Sequence, residues 1–248
     1  MDWQDRGFVI ARFKHGEASL VVKLLTEAHG LHAGLVRGGT GRAGRAVYQI
    51  GNMIAATWRA RLPDHLGNYR GELIRAHAAE LLDSRQSLAG LAAAAALVEA
   101  TLAEREPAGA VFDAFGMLLD RLATPEWASA YARFEVALLA ALGFGFDLAS
   151  CAVTGETENL AFVSPRTGRA VSREGAGAYE NRLFELPPFL IDPGESADPA
   201  EVAAALRLTG HFLSRQALAP AERKMPSART RLYEAVLRLP SSSQAERP

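Results

Sequence analysis

Apolar residues in the first third of the chain fall into short runs at residues 8–13, 19–26, 31–37, 52–61 and, less clearly, 69–76. Gly16, Gly30, the glycine-rich stretch 38–44 and the segment 63–67 separate them. Five short β-like runs with turn chemistry at this spacing predict a small barrel or sandwich. Several runs are too apolar to alternate cleanly, so the two-residue period supports them only in part.

From about Ala78 the pattern changes to alanine- and leucine-rich segments with helical spacing. Trp127, Tyr131, Phe134, Leu138 and Leu142 lie along one helical stripe, opened by Thr124 and Pro125 and stopped by Gly143. Asp198-Pro199-Ala200-Glu201 opens another helix with an acidic cap, proline in the first turn and glutamate three residues after the cap. Its stripe is Val202, Leu206, Thr209 and Leu213, and a last helix is predicted over 227–239. Burial of an amphipathic face accounts for these stripes without a ligand. The stretch 151–190 has turn chemistry and little helical period, which predicts a compact excursion from the helical body.

Composition narrows the function. The chain has 248 residues, long enough for one large or two modest domains, and a formal net charge of −1. Residues 1–70 hold ten Lys/Arg against five acids, +5, and the remainder seventeen against 23, −6. Such a division points to an anionic partner at the basic part; on charge alone, a solvated face that binds nothing is the alternative. Single Cys151 excludes an internal disulfide framework and fits a reducing compartment. The start Met-Asp-Trp-Gln-Asp is acidic where a secretory signal would be basic and then apolar. The longest apolar run, 88–98, is far shorter than the ~20 residues that span a bilayer. The expectation is a cytoplasmic protein with no membrane contact.

The most informative stretch is 31–61, where two strand-like runs, each ending in arginine, flank a flexible loop of glycine and arginine. Glycine permits close backbone approach to a ligand, and arginine offers a planar fork of donors for phosphate. A nucleotide hydrolase is disfavoured. Gly39 and Gly44 have the glycine spacing of a phosphate-binding loop, but Arg45 and Ala46 stand where lysine and a magnesium-binding hydroxyl are needed. His29 and His32 lack companions for a metal set and are expected to be surface or turn histidines. Glu156 and Glu158 sit on a predicted loop, and Cys151 reads as a small buried apolar residue. Nothing forms a catalytic constellation, so a binding protein, not an enzyme, is expected, with no cofactor.

Other residues combine into an ordered pattern: Trp3-x-Asp5-x-Gly7-Phe8-Val9-Ile10, Gly16-Glu17, Gly34-Leu35-Val36-Arg37-Gly38, Gly51-Asn52 and Trp58-x-Ala60-Arg61. Leu66-Gly67, Arg133-Phe134-Glu135, Leu142-Gly143-Phe144, Cys151-Ala-Val-Thr-Gly, Val163-Ser164-Pro165, Gly168-Arg169-Ala170-Val171-Ser172 and Leu186-Pro187 follow. In this order and spacing, the chain resembles the RecO family of bacterial recombination mediators over nearly its whole length.

The resemblance implies an α+β multidomain chain. An N-terminal OB-fold β-barrel over 1–78 would precede an all-α domain over 79–240 with a small zinc-ribbon-like insert at 151–185, and a disordered tail over 241–248. It implies binding of single- and double-stranded DNA, annealing of complementary strands coated by single-strand-binding protein, and loading of RecA with RecR. The partners implied are DNA, RecR, the C-terminal tail of single-strand-binding protein and, indirectly, RecA, at the nucleoid in the cytoplasm. Metal-binding members carry two C-x-x-C pairs. Here Cys151 is kept while Thr154, Ser172 and Gly175 occupy the other positions, so no zinc is expected.

Lys23, Arg37, Arg42, Arg45, Arg59 and Arg61 are the residues expected to line the DNA path. On a strand from Asn52, Arg59 and Arg61 share one face while Trp58 turns into the core. Arg12 and Lys14 could extend the path, although counting by twos puts them on the side of Phe8 and Ile10. Arg121, Arg133, Arg207 or Arg215 could rim an apolar pocket for the acidic tail of single-strand-binding protein. The alternative reading is an RNA-binding OB module with a helical protein-interaction domain.

Overall fold

The computed structural model describes residues 1–62, 64–192, 194 and 197–240. The expected tail 241–248 therefore lies outside the described residues, as does Pro63 in the turn before the fifth strand. The chain divides into two compact units, Met1–Ala123 and Thr124–Pro248.

In the first unit, β1 (Asp2–His15), β2 (Ser19–Thr26), β3 (Gly30–Val36), β4 (Met53–Arg59) and β5 (Asn68–Arg75) form a closed barrel in the order β1-β2-β3-β5-β4. Closure comes from the parallel pairing of Leu35 with Asn68; the other pairings are antiparallel. Five strands in this arrangement fit an OB barrel. Val9, Val22, Leu24, Val36, Ile54, Trp58 and Tyr69 fill the interior. Trp58 is core, as its parity predicts, and its indole N–H donates to the Leu66 carbonyl at 3.0 Å, which pins the turn before β5.

β1 begins six residues before the expected run, because Trp3 and Asp5 continue the inward alternation while Asp2, Gln4 and Arg6 face solvent. A bulge between Val9 and Ala11 then shifts the register, so Arg12 lies opposite Val22 and Phe13 opposite Val21. The shift reverses the face on which each later residue of β1 lies. Arg12 and Lys14 therefore do not share the side of Phe8, as counting by twos suggested, and both are exposed.

Helices cover the other rows of the β1–β2–β3 outer surface. After the single turn α2 (His77–Glu80) come α3 (Arg85–Thr101) and α4 (Gly109–Arg121), which belong to the same compact unit as the barrel. That unit thus runs past the boundary expected near residue 78. Phe8 packs against Phe112 and Phe115 of α4, with ring centroids 4.9 and 5.3 Å away. The segment after α3 lies along β3, where Leu31 bridges Glu104 and accepts the Arg105 N–H at 2.8 Å.

The second unit contains α5 (Trp127–Ala141), α7 (Pro199–Phe212) and α8 (Ser227–Val236). The cap expected for α7 is present, since Asp198 and Glu201 form a reciprocal capping box, whereas α5 starts at Trp127 with Glu126 at its cap position rather than at Thr124 and Pro125. Buried Glu135 of α5 accepts from Arg229 of α8 at 2.9 Å through both carboxylate oxygens, and the Thr209 hydroxyl of α7 donates to the same carboxylate. Within 151–185, β6 (Leu160–Val163), β7 (Ala170–Ser172) and β8 (Phe184–Glu185) make a three-stranded sheet in the order β7-β6-β8, with the one-turn α6 (Arg173–Ala176) after β7.

Candidate nucleic-acid interface

The glycine–arginine stretch is not the loop its composition suggested. After β3 the chain turns at Gly38, with φ +70°, and enters the short helix α1 (Arg42–Val47). Gly44 is required by the packing of this segment on itself, since a Cβ there would lie 2.5 Å from the Gly39 carbonyl oxygen. These glycines shape the protein's own backbone. Buried Asn52 fixes the end of α1 by donating to the carbonyls of Ala46 and Val47 at 2.9 and 3.1 Å and accepting the Ala78 N–H at 3.2 Å.

Two contacts tie this segment to the β1–β2 hairpin. Thr40 N–H donates to the Ala18 carbonyl at 3.2 Å, and the Arg12 guanidinium donates to the Tyr48 carbonyl at 3.3 Å, just past α1. Arg37, Arg42 and Arg45 are exposed on this segment, and Arg12 and Lys14 on the hairpin attached to it. One end of the barrel thus carries three of the six expected residues and the two suggested extensions.

The other three lie elsewhere. Arg59 and Arg61 are at the far end of β4, and Arg59 pairs with Asp2 at 3.2 Å with both side chains more than half exposed. Such an exposed pair is weak and easily exchanged for phosphate. Lys23 points from β2 toward the helical cover, where its ammonium lies 3.2 Å from Glu99 and 3.1 Å from Glu104. Burial lowers its pKa, and hydrogen bonds to Glu104 and Glu99 outweigh that and hold it above the ordinary lysine value. Lys23 is a charged group already satisfied inside the protein. The physical reason is its row: Ala11 and Ala33, its cross-strand neighbours, are both buried.

Register identifies a residue that the sequence reading left out. Arg70 lies opposite Thr57, and Arg59 lies opposite Asn68, so Arg59 and Arg70 are diagonal neighbours on the outward face. Arg37 comes two residues after Leu35 on β3, just as Arg70 comes two residues after Asn68 on parallel β5. The order across the surface is therefore Arg37, Arg70, Arg59. A shallow groove of about 910 Å³ has Arg37, Arg70 and Arg6 in its lining together with Asp5, Glu27 and Glu72. The signal was present in Asn68-Tyr69-Arg70, where a buried tyrosine sits between two exposed polar residues. Among the described residues, Arg37, Arg42, Arg45, Arg61 and Arg70 have no ion-pair partner.

Of the two histidines, His29 is the turn residue expected and His32 is not. His29 is a turn residue paired with Asp5 at 2.9 Å and stacked on Trp3, with ring centroids 4.2 Å apart. His32 is buried inside the barrel edge-on to Trp58 at 4.8 Å, and burial pushes its pKa below the usual imidazole value.

Thr154, Ser172 and Gly175 converge on the hydrogen-bonded thiol of Cys151. Buried Cys151 Sγ accepts from the Val153 and Thr154 N–H groups at 3.4 Å, the Ser172 N–H at 3.1 Å and the Ser172 hydroxyl at 3.3 Å. Burial raises the thiol pKa, but hydrogen bonds from Ser172 and Thr154 outweigh it and bring it down to about 6. A Cβ at Gly175 would stand 2.9 Å from that sulfur, so a larger side chain at this position would crowd the thiol. One thiol, two hydroxyls and a glycine do not fit tetrahedral zinc. Among the described residues no group of three or more His, Cys, Asp or Glu could hold a metal ion, and no helix is long and apolar enough to cross a membrane.

Residues 1–77 match the family profile described as Recombination protein O N terminal, and residues 82–225 match Recombination protein O C terminal. The DNA repair protein RecO of Rhodospirillum rubrum is 50% identical over 245 residues, covering 96% of this chain and 97% of that protein. The protein of the same name from Rhodospirillum centenum is 50% identical over 237 residues, 94% of each chain. That from Jannaschia sp. is 45% identical over 240 residues, 96% of this chain and 97% of the other.

Proposed function

The chain belongs to the RecO family of DNA repair proteins, and from that premise we propose that it is a non-enzymatic mediator that anneals complementary strands and, with RecR, helps place RecA on DNA coated by single-strand-binding protein. The observation that carries this reading is the set of exposed guanidiniums of Arg37, Arg42, Arg45 and Arg70, at the α1 end of the barrel and on β5, which have no ion-pair partner among the described residues. They bind phosphate without regard to sequence, as an annealing surface must, because the same site meets every strand. Annealing itself needs no bond chemistry. A cationic surface lowers the repulsion between two polyanions and raises their local concentration, and base pairing then supplies the driving force.

Of the six residues first expected, Arg37, Arg42 and Arg45 form the main contact, and Arg59 and Arg61 extend it past Arg70. Lys23 is left out because two carboxylates already satisfy it. A second site would take the acidic tail of single-strand-binding protein. The groove between α7 and α8, about 460 Å³, offers Ala200, Ala203, Val236 and Leu237 as apolar lining, with Arg207 as its one cation and Glu185 as its one acid. Its place in this lining favours Arg207 among the four arginines considered, and Arg133 already donates to the Phe189 carbonyl at 3.1 Å. The protein would work at the nucleoid in the cytoplasm.

Annealing of complementary oligonucleotides, bare and coated with single-strand-binding protein, tests the proposal. Acceleration in both cases supports it, and loss of the coated-strand activity alone in Arg207→Ala supports the second site. Absence of acceleration, or a strong preference for RNA, overturns it.

A further inference from the structure

Phe13 is a large aromatic side chain left 49% exposed on the rim of a barrel whose adjoining row, Ala11–Lys23–Ala33, faces the helical cover. The register places it in a defined row. Phe13 lies opposite Val21, Val21 opposite Leu35, Leu35 opposite Asn68, and Asn68 opposite Arg59. All five side chains face outward, because inward-facing Val22, Tyr69 and Trp58 alternate with them. Val21 and Leu35 are only half-buried, so Phe13, Val21 and Leu35 form an open apolar patch, which the row continues with polar Asn68 and the Arg59 guanidinium. The row follows the curved wall of the closed barrel, and its apolar part spans the adjacent strands β1, β2 and β3. Two residues further along their strands stand Arg37 and Arg70, parallel to this strip. The bulge at Ile10 produces the arrangement; without it Phe13 would face into the barrel.

An apolar strip bordered by unpaired cations matches one ligand chemistry, an unstacked nucleobase attached to a phosphate backbone. We propose that Phe13 is a base-stacking platform, with Val21 and Leu35 receiving the next bases while Arg37 and Arg70 hold their phosphates, and that it makes the surface discriminate single strands from duplex. The inference rests on the DNA-binding reading above and adds to it a contact that phosphate alone cannot make. Bases in a duplex present no free face to Phe13, whereas every base in a single strand does, so the platform is sequence-tolerant and strand-selective.

The test measures fluorescence anisotropy of the full-length protein with a labelled oligo-dT, the same oligonucleotide carrying abasic sites, and a duplex of equal length. Phe13→Ala is expected to lose roughly 5- to 150-fold in oligo-dT affinity, the range of one base–aromatic stack, with duplex affinity and salt slope unchanged. Phe13→Leu, which keeps the apolar bulk, is expected to lose most of the same factor. The abasic strand is expected to bind wild type and Phe13→Ala alike. Wild-type oligo-dT affinity in both variants, or equal losses on single strand and duplex, overturns the platform while leaving the phosphate track standing. Failure of the wild-type protein to bind any of the three ligands overturns the DNA-binding reading itself.

Discussion

Replacing Arg42 and Arg45 together by alanine removes two exposed cations with no carboxylate partner among the described residues and no buried side chain around them. The fold should tolerate the change, since α1 is held by Asn52 and by the Thr40 contact rather than by these side chains. The effect on DNA can be worked out from counterion release. Five unpaired guanidiniums, Arg37, Arg42, Arg45, Arg61 and Arg70, each neutralising about one phosphate, give a log–log salt slope on single strands near −3.5, at roughly −0.7 per phosphate. Between 50 and 200 mM salt the wild-type affinity should then fall by roughly 130-fold. With two contacts gone the slope becomes about −2.1 and the same change in salt costs only about 18-fold.

Anisotropy titrations at four or five salt concentrations separate these slopes easily. Lys23→Ala is the internal control. Its ammonium is occupied by Glu99 and Glu104, so the slope should remain at the wild-type value although the same class of charge is lost. A Lys23→Ala slope that falls as far as that of the double variant would show the carboxylate cage opening to DNA, and an unchanged slope in Arg42→Ala/Arg45→Ala would refute the assignment of the α1 end as the contact.

Other consequences concern stability and the thiol. Arg229→Ala strands the Glu135 carboxylate in the second unit and should cost about 3–5 kcal/mol in denaturant melts; the double change Arg229→Met/Glu135→Leu should recover most of it. Imidazoles of His32 and His77 are held below their ordinary pKa chiefly by burial. The unfolded chain therefore takes up protons first, and stability should be full above about pH 6.5 and fall as pH drops from there toward the folded values. His32→Gln should flatten that fall in pH-dependent melts, and an unaltered profile would count against burial as its source. Ser172→Ala removes one donor to the Cys151 sulfur, so the thiol pKa should rise from about 6, read as a shift of the thiolate ultraviolet absorbance to higher pH.

Strand alternation was legible wherever inward residues were large and apolar, as at Trp58 and Tyr69. It failed at the start of β1, where Asp5 and Gly7 occupy interior-facing positions and erase the apolar signal. The α7 helix could be read from its capping residues because such caps act locally. Neither Lys23 nor Arg70 could be placed in that way. What removes Lys23 from the interface is a pair of acids some eighty residues away, and what adds Arg70 is a hairpin register that no single strand encodes. Glycine content was misread for a similar reason, since Gly44 answers to its own loop and not to a ligand.

The acids that take Lys23 out also set the limit of the interface. Glu99 and Glu104 outnumber the one ammonium between them, so the row Ala11–Lys23–Ala33 presents a residual negative edge where the helices meet the barrel. One row further on, Phe13, Val21 and Leu35 are neutral, and beyond them Arg37 and Arg70 are positive. A polyanion laid on this surface is repelled from the helical side and drawn toward the cations, with its bases left over the neutral strip. The polarity follows from the packing of α3 and the segment after it on β2 and β3, so the covering helices orient the strand as well as stabilise the barrel. Reversing the edge with Glu99→Gln/Glu104→Gln should raise affinity for single-stranded DNA by freeing Lys23, and should steepen the salt slope by about 0.7, one phosphate's worth. An unchanged slope in that variant would mean that the cover excludes DNA by its bulk and not by its charge.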